Sequence, residues 1–493
     1  MRALRVTVLV LATACGGGGG GGDGDTAATQ GASATEATTA GASASASAAT
    51  SAGSGVDTAS DGASDDPGAD DSTGSTPTEC DGDCTYVRAG ASGSGADWAD
   101  ALAELPETLE RGRVYFVAAG SYAGATIDDP AAGTATIRVL RATADDHGTD
   151  DGWEPAFGEG LAELGPIVLA APFVELDGRG ALRIVGTFES TVVEIQASDV
   201  TLRGCDLDGN FTMSKGQQTD GACTGLNVAG DGVVVANNLI HGIADDGVSI
   251  TGSSGVSFRG NTVHALHGCG TDGGCGPCYN GHSDGLEIYD LVDSEIVGNV
   301  IYDVASTAAL FFGNWADELG GGPDEYCENI LLANNIFYSP QTGFVAYLED
   351  VRGVQVYSNV MWGFRDGAYG GLAIGTNVTG LDLYDNAIVS INYDHLGSTH
   401  DAAEHRGDYN LFAASLGQWQ DGPHDVVAID AGFTGIPDAD GAAVADPTPQ
   451  DFVPIAGSPL VDAGWAGDAD IAIPDEDFFG EPRGDPPNIG AIE

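Results

Sequence analysis

Val233-Val-Val-Ala-Asn237-Asn238-Leu-Ile240 is a short apolar strand that runs into a pair of asparagines, and the unit returns through the second half of the chain. It recurs as Val256-Ser-Phe-Arg-Gly-Asn261, Ser294-Glu-Ile-Val-Gly-Asn299, Ile330-Leu-Leu-Ala-Asn-Asn335, Val354-Gln-Val-Tyr-Ser-Asn359 and Leu381-Asp-Leu-Tyr-Asp-Asn386. Each unit has a partner strand of period-two alternation: Gly225-Leu-Asn-Val, Gly247-Val-Ser-Ile, Gly285-Leu-Glu-Ile, Ala309-Leu-Phe-Phe, Gly343-Phe-Val-Ala and Gly371-Leu-Ala-Ile. Three intervals between successive asparagines are 23, 24 and 27 residues, and two are 38 and 36, which marks longer coils carrying inserted loops. Short strands, Asn and Gly at the corners and no intervening helical pattern predict an all-β right-handed parallel β-helix, in which each coil leaves an edge open until the next stacks on it. A propeller would need four antiparallel strands and hairpin turns per blade, and these are not seen.

Composition agrees with that solenoid. Of 493 residues 76 are Gly, so long helices are not expected, while 42% hydrophobic residues suffice for a core. Sixteen Lys+Arg against 74 Asp+Glu give a formal charge of -58. Such a polyanion gains nothing from counterion release, which excludes nucleic acid and docking on an anionic leaflet as partners.

The chain begins Met1-Arg2-Ala3-Leu4-Arg5, followed by an apolar run from Val6 to Ala12, a charged start and a stretch too short to span a bilayer. Residues 1–14 therefore read as a secretory signal. Leu11-Ala12-Thr13-Ala14-Cys15 resembles the processing site of bacterial lipoproteins, which implies lipidation of Cys15 and membrane contact through the anchor alone. Residues 15–79 are Gly, Ala, Ser, Thr and Asp with almost no larger apolar side chain, a disordered tether about 45 Å long on average. An exported, envelope-anchored monomer is expected. Eight further cysteines in an exported chain favour disulfides: Cys80 with Cys84, Cys205 and Cys223 around one irregular segment, and Cys269, Cys275, Cys278 and Cys327 with three possible connectivities. Cys275-Gly-Pro-Cys278 matches a redox motif but lacks a βαβ setting, so a stapled loop is the reading.

Residues 80–112 are expected as an N-terminal cap, 113–400 as the β-helix and 401–493 as an irregular C-terminal cap. Tyr86-Val-Arg-Ala-Gly-Ala-Ser-Gly-Ser-Gly-Ala-Asp-Trp98, a helix over Ala99 to Glu110 and Val114-Tyr-Phe-Val-Ala-Ala-Gly120-Ser-Tyr122 resemble the cap and first coil of pectate-lyase-like β-helix proteins. Gly457-Ser-Pro-Leu-Val-Asp-Ala-Gly464, Asp477-Phe-Phe-Gly-Glu-Pro-Arg483 and Asn488-Ile-Gly-Ala-Ile-Glu493 resemble the terminal segment of exported bacterial members. The spacing of Leu102, Leu105 and Leu109 suits an apolar helix face plugging the end of the core.

Long connections leave between Cys205 and Gly225, Asn261 and Gly285, and Asn314 and Cys327, flanking one outward-facing column of the partner strands. That column is expected to carry Asn227, Ser249, Glu287, Phe311, Val345 and Ala373, and two residues on Ala229, Thr251, Tyr289, Gly313, Tyr347 and Gly375. Asp246 and Asp284 occupy equivalent corners one coil apart, about 4.8 Å for stacked backbones. Two carboxylates so close need a shared proton or a cation such as Ca2+ between them. Asp246, Asp284, Glu287, His282 and Tyr289 are the candidate catalytic residues, the three acids also candidate metal ligands, and Asn227, Ser249, Trp315 and Tyr347 candidate substrate contacts. His241, His264 and His267 are possible contributors from the loops.

The resemblance implies a polysaccharide partner, and a hydrolase or lyase if the chain is catalytic. Lyases of this kind use Lys or Arg, yet the only lysine is Lys215, and Arg203 and Arg259 lie off the column. The Asp-rich strands Ala244 to Ile250 and Ser283 to Ile288 resemble those of polygalacturonases with the order reversed, and would serve inverting hydrolysis if one acid protonates and another activates water. A noncatalytic adhesin, glycan binder or envelope structural module is the alternative. If Cys15 carries the anchor, Cys15→Ser moves the protein from the membrane to the soluble fraction in detergent partitioning; an unchanged distribution excludes it.

Overall fold

The computed structural model describes residues 84–493, except 189, 212, 215–216, 219–220, 268–282, 306, 314–325, 340–343, 364–370, 394–404, 416–421, 429 and 438–443. The signal, Cys15, the tether, Lys215, His282, Trp315, Cys80, Cys269, Cys275 and Cys278 lie outside the described residues. Among the described residues thirty strands join one continuous sheet, and the strand ladders within it are parallel. The chain is a right-handed parallel β-helix. Three strands make a coil: Thr224–Val228, Val234–Ala236 and Leu239–Ile243 form one, and Val248–Ser254, Ser257–Arg259 and Thr262–Leu266 stack upon them in register. Inward residues such as Leu226, Val235, Ile240, Val248, Phe258 and Val263 are fully buried in a core that runs the length of the solenoid.

The repeated asparagines hold the coils together. Asn261 Oδ1 accepts the backbone N–H of Asn238 at 2.9 Å and its Nδ2–H at 3.0 Å. The same pair of bonds passes from Asn261 to Asn299, Asn335, Asn359, Asn386 and Asn410. Each amide also donates to a carbonyl across the corner, as Asn335 does to Ile296 at 2.8 Å. The row starts where Cys205 N–H donates to Asn238 and ends on Asp425, whose Oδ1 accepts from Asn410 N–H at 2.8 Å. The residue before each ladder asparagine turns the corner at positive φ: Asn237, Gly260, Gly298, Asn334, Ser358, Asp385 and Tyr409. Glycine and asparagine suit that left-handed conformation, which is why the sequence unit reads Gly-Asn or Asn-Asn.

Two expectations are corrected. Ala99 to Glu110 is not a helix but a run of turns. Leu102 N–H donates to Tyr86 C=O and Leu102 C=O accepts from Arg88 N–H, both at 2.8 Å, so its backbone covers the edge of the first strand, and Pro106 supplies no N–H. Leu109 still enters the end of the core, with Leu102 and Leu105 packed against it. Cys205 and Cys327 are free, buried thiols rather than disulfide partners, because their side chains point inward among the core aliphatics. Burial pushes the Cys327 thiol up to about 12 and the Cys205 thiol higher. Cys84 and Cys223 each take part in a disulfide whose partner lies outside the described residues.

Asn335→Ala removes the acceptor of two Asn299 donors and leaves Ile296 C=O short of a bond. At about 1–3 kcal/mol for each buried group left unsatisfied, it is expected to lower unfolding stability by about 3 kcal/mol or more in denaturant titrations. A change under about 1 kcal/mol would mean the ladder is dispensable.

Candidate functional site

Strands Val248–Ser254 and Asp284–Val297 pair with Val248 opposite Leu286, Ser249 opposite Glu287 and Thr251 opposite Tyr289. Leu286 and Ile288 therefore enter the core, and Glu287 and Tyr289 face outward. Although outward, Glu287 is only 8% exposed and Tyr289 2%. Tyr289 Oη–H donates to Glu287 Oε1 at 2.9 Å, fixing the carboxylate in place.

Asp246 and Asp284 stand at stacked corners. Asp284 N–H donates to Asp246 Oδ1 at 2.8 Å, and Ala308 N–H, one coil on, donates to Asp284 Oδ1 at 2.8 Å. These acids thus repeat, on the opposite corner, the linking role of the asparagines. The glycine that follows each is required by close approach: a Cβ on Gly285 would lie 2.3 Å from Ala309 O, and one on Gly247 2.8 Å from Gly285 O. Asp-Gly is therefore a structural corner, and it is also the site, because the corner aims both carboxylates at Glu287.

One oxygen from each of Asp246, Asp284 and Glu287 lies within 4.8 Å of the others, and all three residues are buried. Two ionised carboxylates at that distance repel by about 3 kcal/mol at an effective dielectric near 20, a cost relieved by a shared proton or by a compensating cation. The cluster's donor set fits Ca2+: carboxylate oxygens are the hard ligands calcium takes, and at about 2.3–2.6 Å from an ion, ligands across it stand no more than about 5 Å apart.

On one side of the acids the outward column is polar, with Asn227 paired to Ser249 and Ser249 to Glu287. On the other it is aromatic. Glu287 pairs with Phe311, and Phe311 with Tyr347, their rings stacked at 5.2 Å and 11°. Tyr347, not Val345, occupies the expected position beside Phe311; Val345 belongs to the core, because the strand joins two residues out of the anticipated register. Burial pushes the Tyr347 hydroxyl well above its ordinary value. Phe344, at 5.1 Å from Tyr347, was not anticipated beside the site, since placing it depended on this register.

The described histidines are not at the acids. His241 and His264 lie on the third strand of their coils, stacked at 5.4 Å, and His264 stacks on Tyr302 at 4.9 Å. His241 bonds Asp206 at 2.8 Å, which raises its pKa, while burial lowers that of His264 to about 4. His267 packs on Phe211 at 5.1 Å.

No protein-family model and no curated protein matches the chain. Solved structures similar to it include the pectate lyase Pel9A, at 14% identity over 85% of this chain and 97% of that one with a TM-score of 0.46. A mannuronic acid specific family 6 polysaccharide lyase from human gut microbiota has 10% identity over 64% and 78% with a TM-score of 0.37. A rhamnogalacturonan lyase has 13% over 67% and 87% with a TM-score of 0.31. At these values the β-helix rests on the strand ladders themselves.

Asp284→Ala removes the acceptor of Ala308 N–H and is expected to cost about 1–3 kcal/mol, whereas Asp284→Asn keeps an acceptor, removes one charge and leaves stability unchanged or raised without added cation. Equal destabilisation by both, measured by thermal melting in chelator, would contradict this division.

Proposed function

We propose that this chain engages an acidic polysaccharide at the cell envelope through a divalent cation, calcium foremost, held by Asp246, Asp284 and Glu287. The convergence of three buried carboxylates on one outward column of the solenoid carries the reading. The chain is strongly anionic, so a uronate-type ligand would be repelled from acids left uncompensated, and a bound cation would supply the positive charge that receives it. The protein's own part is to orient. Backbone N–H groups hold one Asp246 and one Asp284 oxygen, Tyr289 holds Glu287, and Asn227 and Ser249 offer an amide and a hydroxyl to sugar hydroxyls on one flank. Phe311 and its neighbours present an apolar flank on the other.

Inverting hydrolysis is disfavoured by the same spacing. Carboxyl groups that admit a water between them stand about 6.5–9.5 Å apart, whereas these offer oxygens within 4.8 Å of one another. Binding without turnover is the second reading, favoured because each acid is already committed to a hydrogen bond instead of standing ready to move a proton. In both readings the protein is exported, anchored through Cys15 and monomeric.

The test incubates purified protein with polyuronates and neutral glycans, in calcium or in chelator, following retention, unsaturated-product absorbance and new reducing ends. Retention of polyuronate that needs calcium and falls about tenfold or more, ~1.4 kcal/mol, in Asp284→Asn and Glu287→Gln is expected. Unsaturated-product absorbance identifies elimination, new reducing ends without that absorbance identify hydrolysis, and retention alone identifies binding. Chelator-insensitive engagement of neutral glycans overturns the proposal.

A further inference from the structure

The last coils are apolar on the outside as well as the inside. Val360 and Ala387 share an outer cluster with Leu460, Ile489, Ala491 and Ile492 of the terminal segment, and Ala333 and Tyr357 share another with Ile471 and Ile473. The segment is fastened at one corner. Trp465 N–H donates to Asp385 Oδ1 at 2.9 Å, Gly490 N–H donates to Asp385 C=O at 2.6 Å, and Gly464 N–H donates to Pro487 C=O at 2.8 Å.

Asp385 is the odd member of its row. The other described positive-φ corners before ladder asparagines, Asn237, Gly260, Gly298, Asn334, Ser358 and Tyr409, carry neutral residues. Asp385 is fully buried, and its Oδ2 makes no hydrogen bond. Arg483, the cation facing it, directs Nη2 to Asn334 Oδ1 at 2.8 Å and to Gly490 C=O at 3.1 Å, and stands 3.7 Å from Glu493. An ionised Asp385 would thus lack both solvent and a direct ion-pair partner.

We propose that residues 464–493 form a proton-gated clasp, docked when the Asp385 carboxyl is neutral and loosened when it ionises. The inference is independent of the polysaccharide reading. Burial is the main force holding the proton, the Trp465 N–H bond and then Arg483 oppose it, and Asp408 and Glu493 assist; together they lift the carboxyl from 3.8 to about 8. Because the docked form binds the proton more tightly than the released one, docking is strongest below about pH 4. It weakens about tenfold per pH unit up to about 8 and then levels. Release would bare Ala333, Tyr357, Val360 and Ala387 on the outside of the solenoid.

Hydrogen exchange on the full chain, corrected for the intrinsic pH dependence of exchange, tests this in peptides covering 464–475 and 483–493. Wild type should lose protection about a thousandfold between pH 5 and 8, and Asp385→Asn should hold it level. Asp385→Ser, which places at this corner the residue type that the preceding coil has at 358, is the second variant should the first fold poorly. Wild-type protection that does not change with pH, or neutral variants as pH-dependent as wild type, would overturn the clasp.

Discussion

Coil-to-coil hydrogen bonding through buried asparagine side chains is the constraint on which the rest of this solenoid depends. Each amide accepts from the coil before it in sequence, donates to the coil after it and also donates to a carbonyl of the preceding coil, so a buried bend that would strand polar groups is satisfied. The spacing between successive ladder residues changes from 23 to 38 while the bonds stay near 2.9 Å. Insertions are absorbed in the loops, and the corner geometry is conserved along the stack. That separation lets the loops vary without disturbing the column on which the acids sit.

The acid site belongs to the same logic. Asp246 and Asp284 act as linking residues in a second row that spans two steps, and a carboxyl in that position accepts a backbone N–H through one oxygen and leaves the other for a further partner. The clustering of acids is thus a by-product of a corner that must be capped, completed by Glu287 three residues after Asp284. Fold and site share residues, which is why substitutions that keep an acceptor and substitutions that remove it separate the two roles.

Much of this was legible in the residues. The Asn-terminated strand and its spacing specify the parallel coils, because Gly and Asn, which hold four of the seven left-handed corners, adopt that conformation at little cost and a side-chain amide both accepts and donates at the next position. The stacking of Asp246 on Asp284 follows from the same register. What escaped the sequence depended on contacts made far along the chain. Leu102 gives its backbone to Tyr86 and Arg88 and so cannot be helical, the strand of Phe344 and Tyr347 pairs two residues out of the anticipated register, and Cys205 and Cys327 turn inward where spacing alone suggested bridges. The burial of Glu287 and Tyr289 on an outward face was likewise invisible to alternation, which reports direction and not cover.

The amide row also has a direction. Its seven carboxamides all donate toward the C-terminal end, so their dipoles add, and the N–H end meets the carboxylate of Asp425. An asparagine in that place would offer a further donor for another coil to accept; the aspartate oxygen that accepts from Asn410 has no amide N–H to pass on. A whole coil could therefore be duplicated or deleted within the row without a chemical mismatch, and Asp425 is the residue at which that grammar ends.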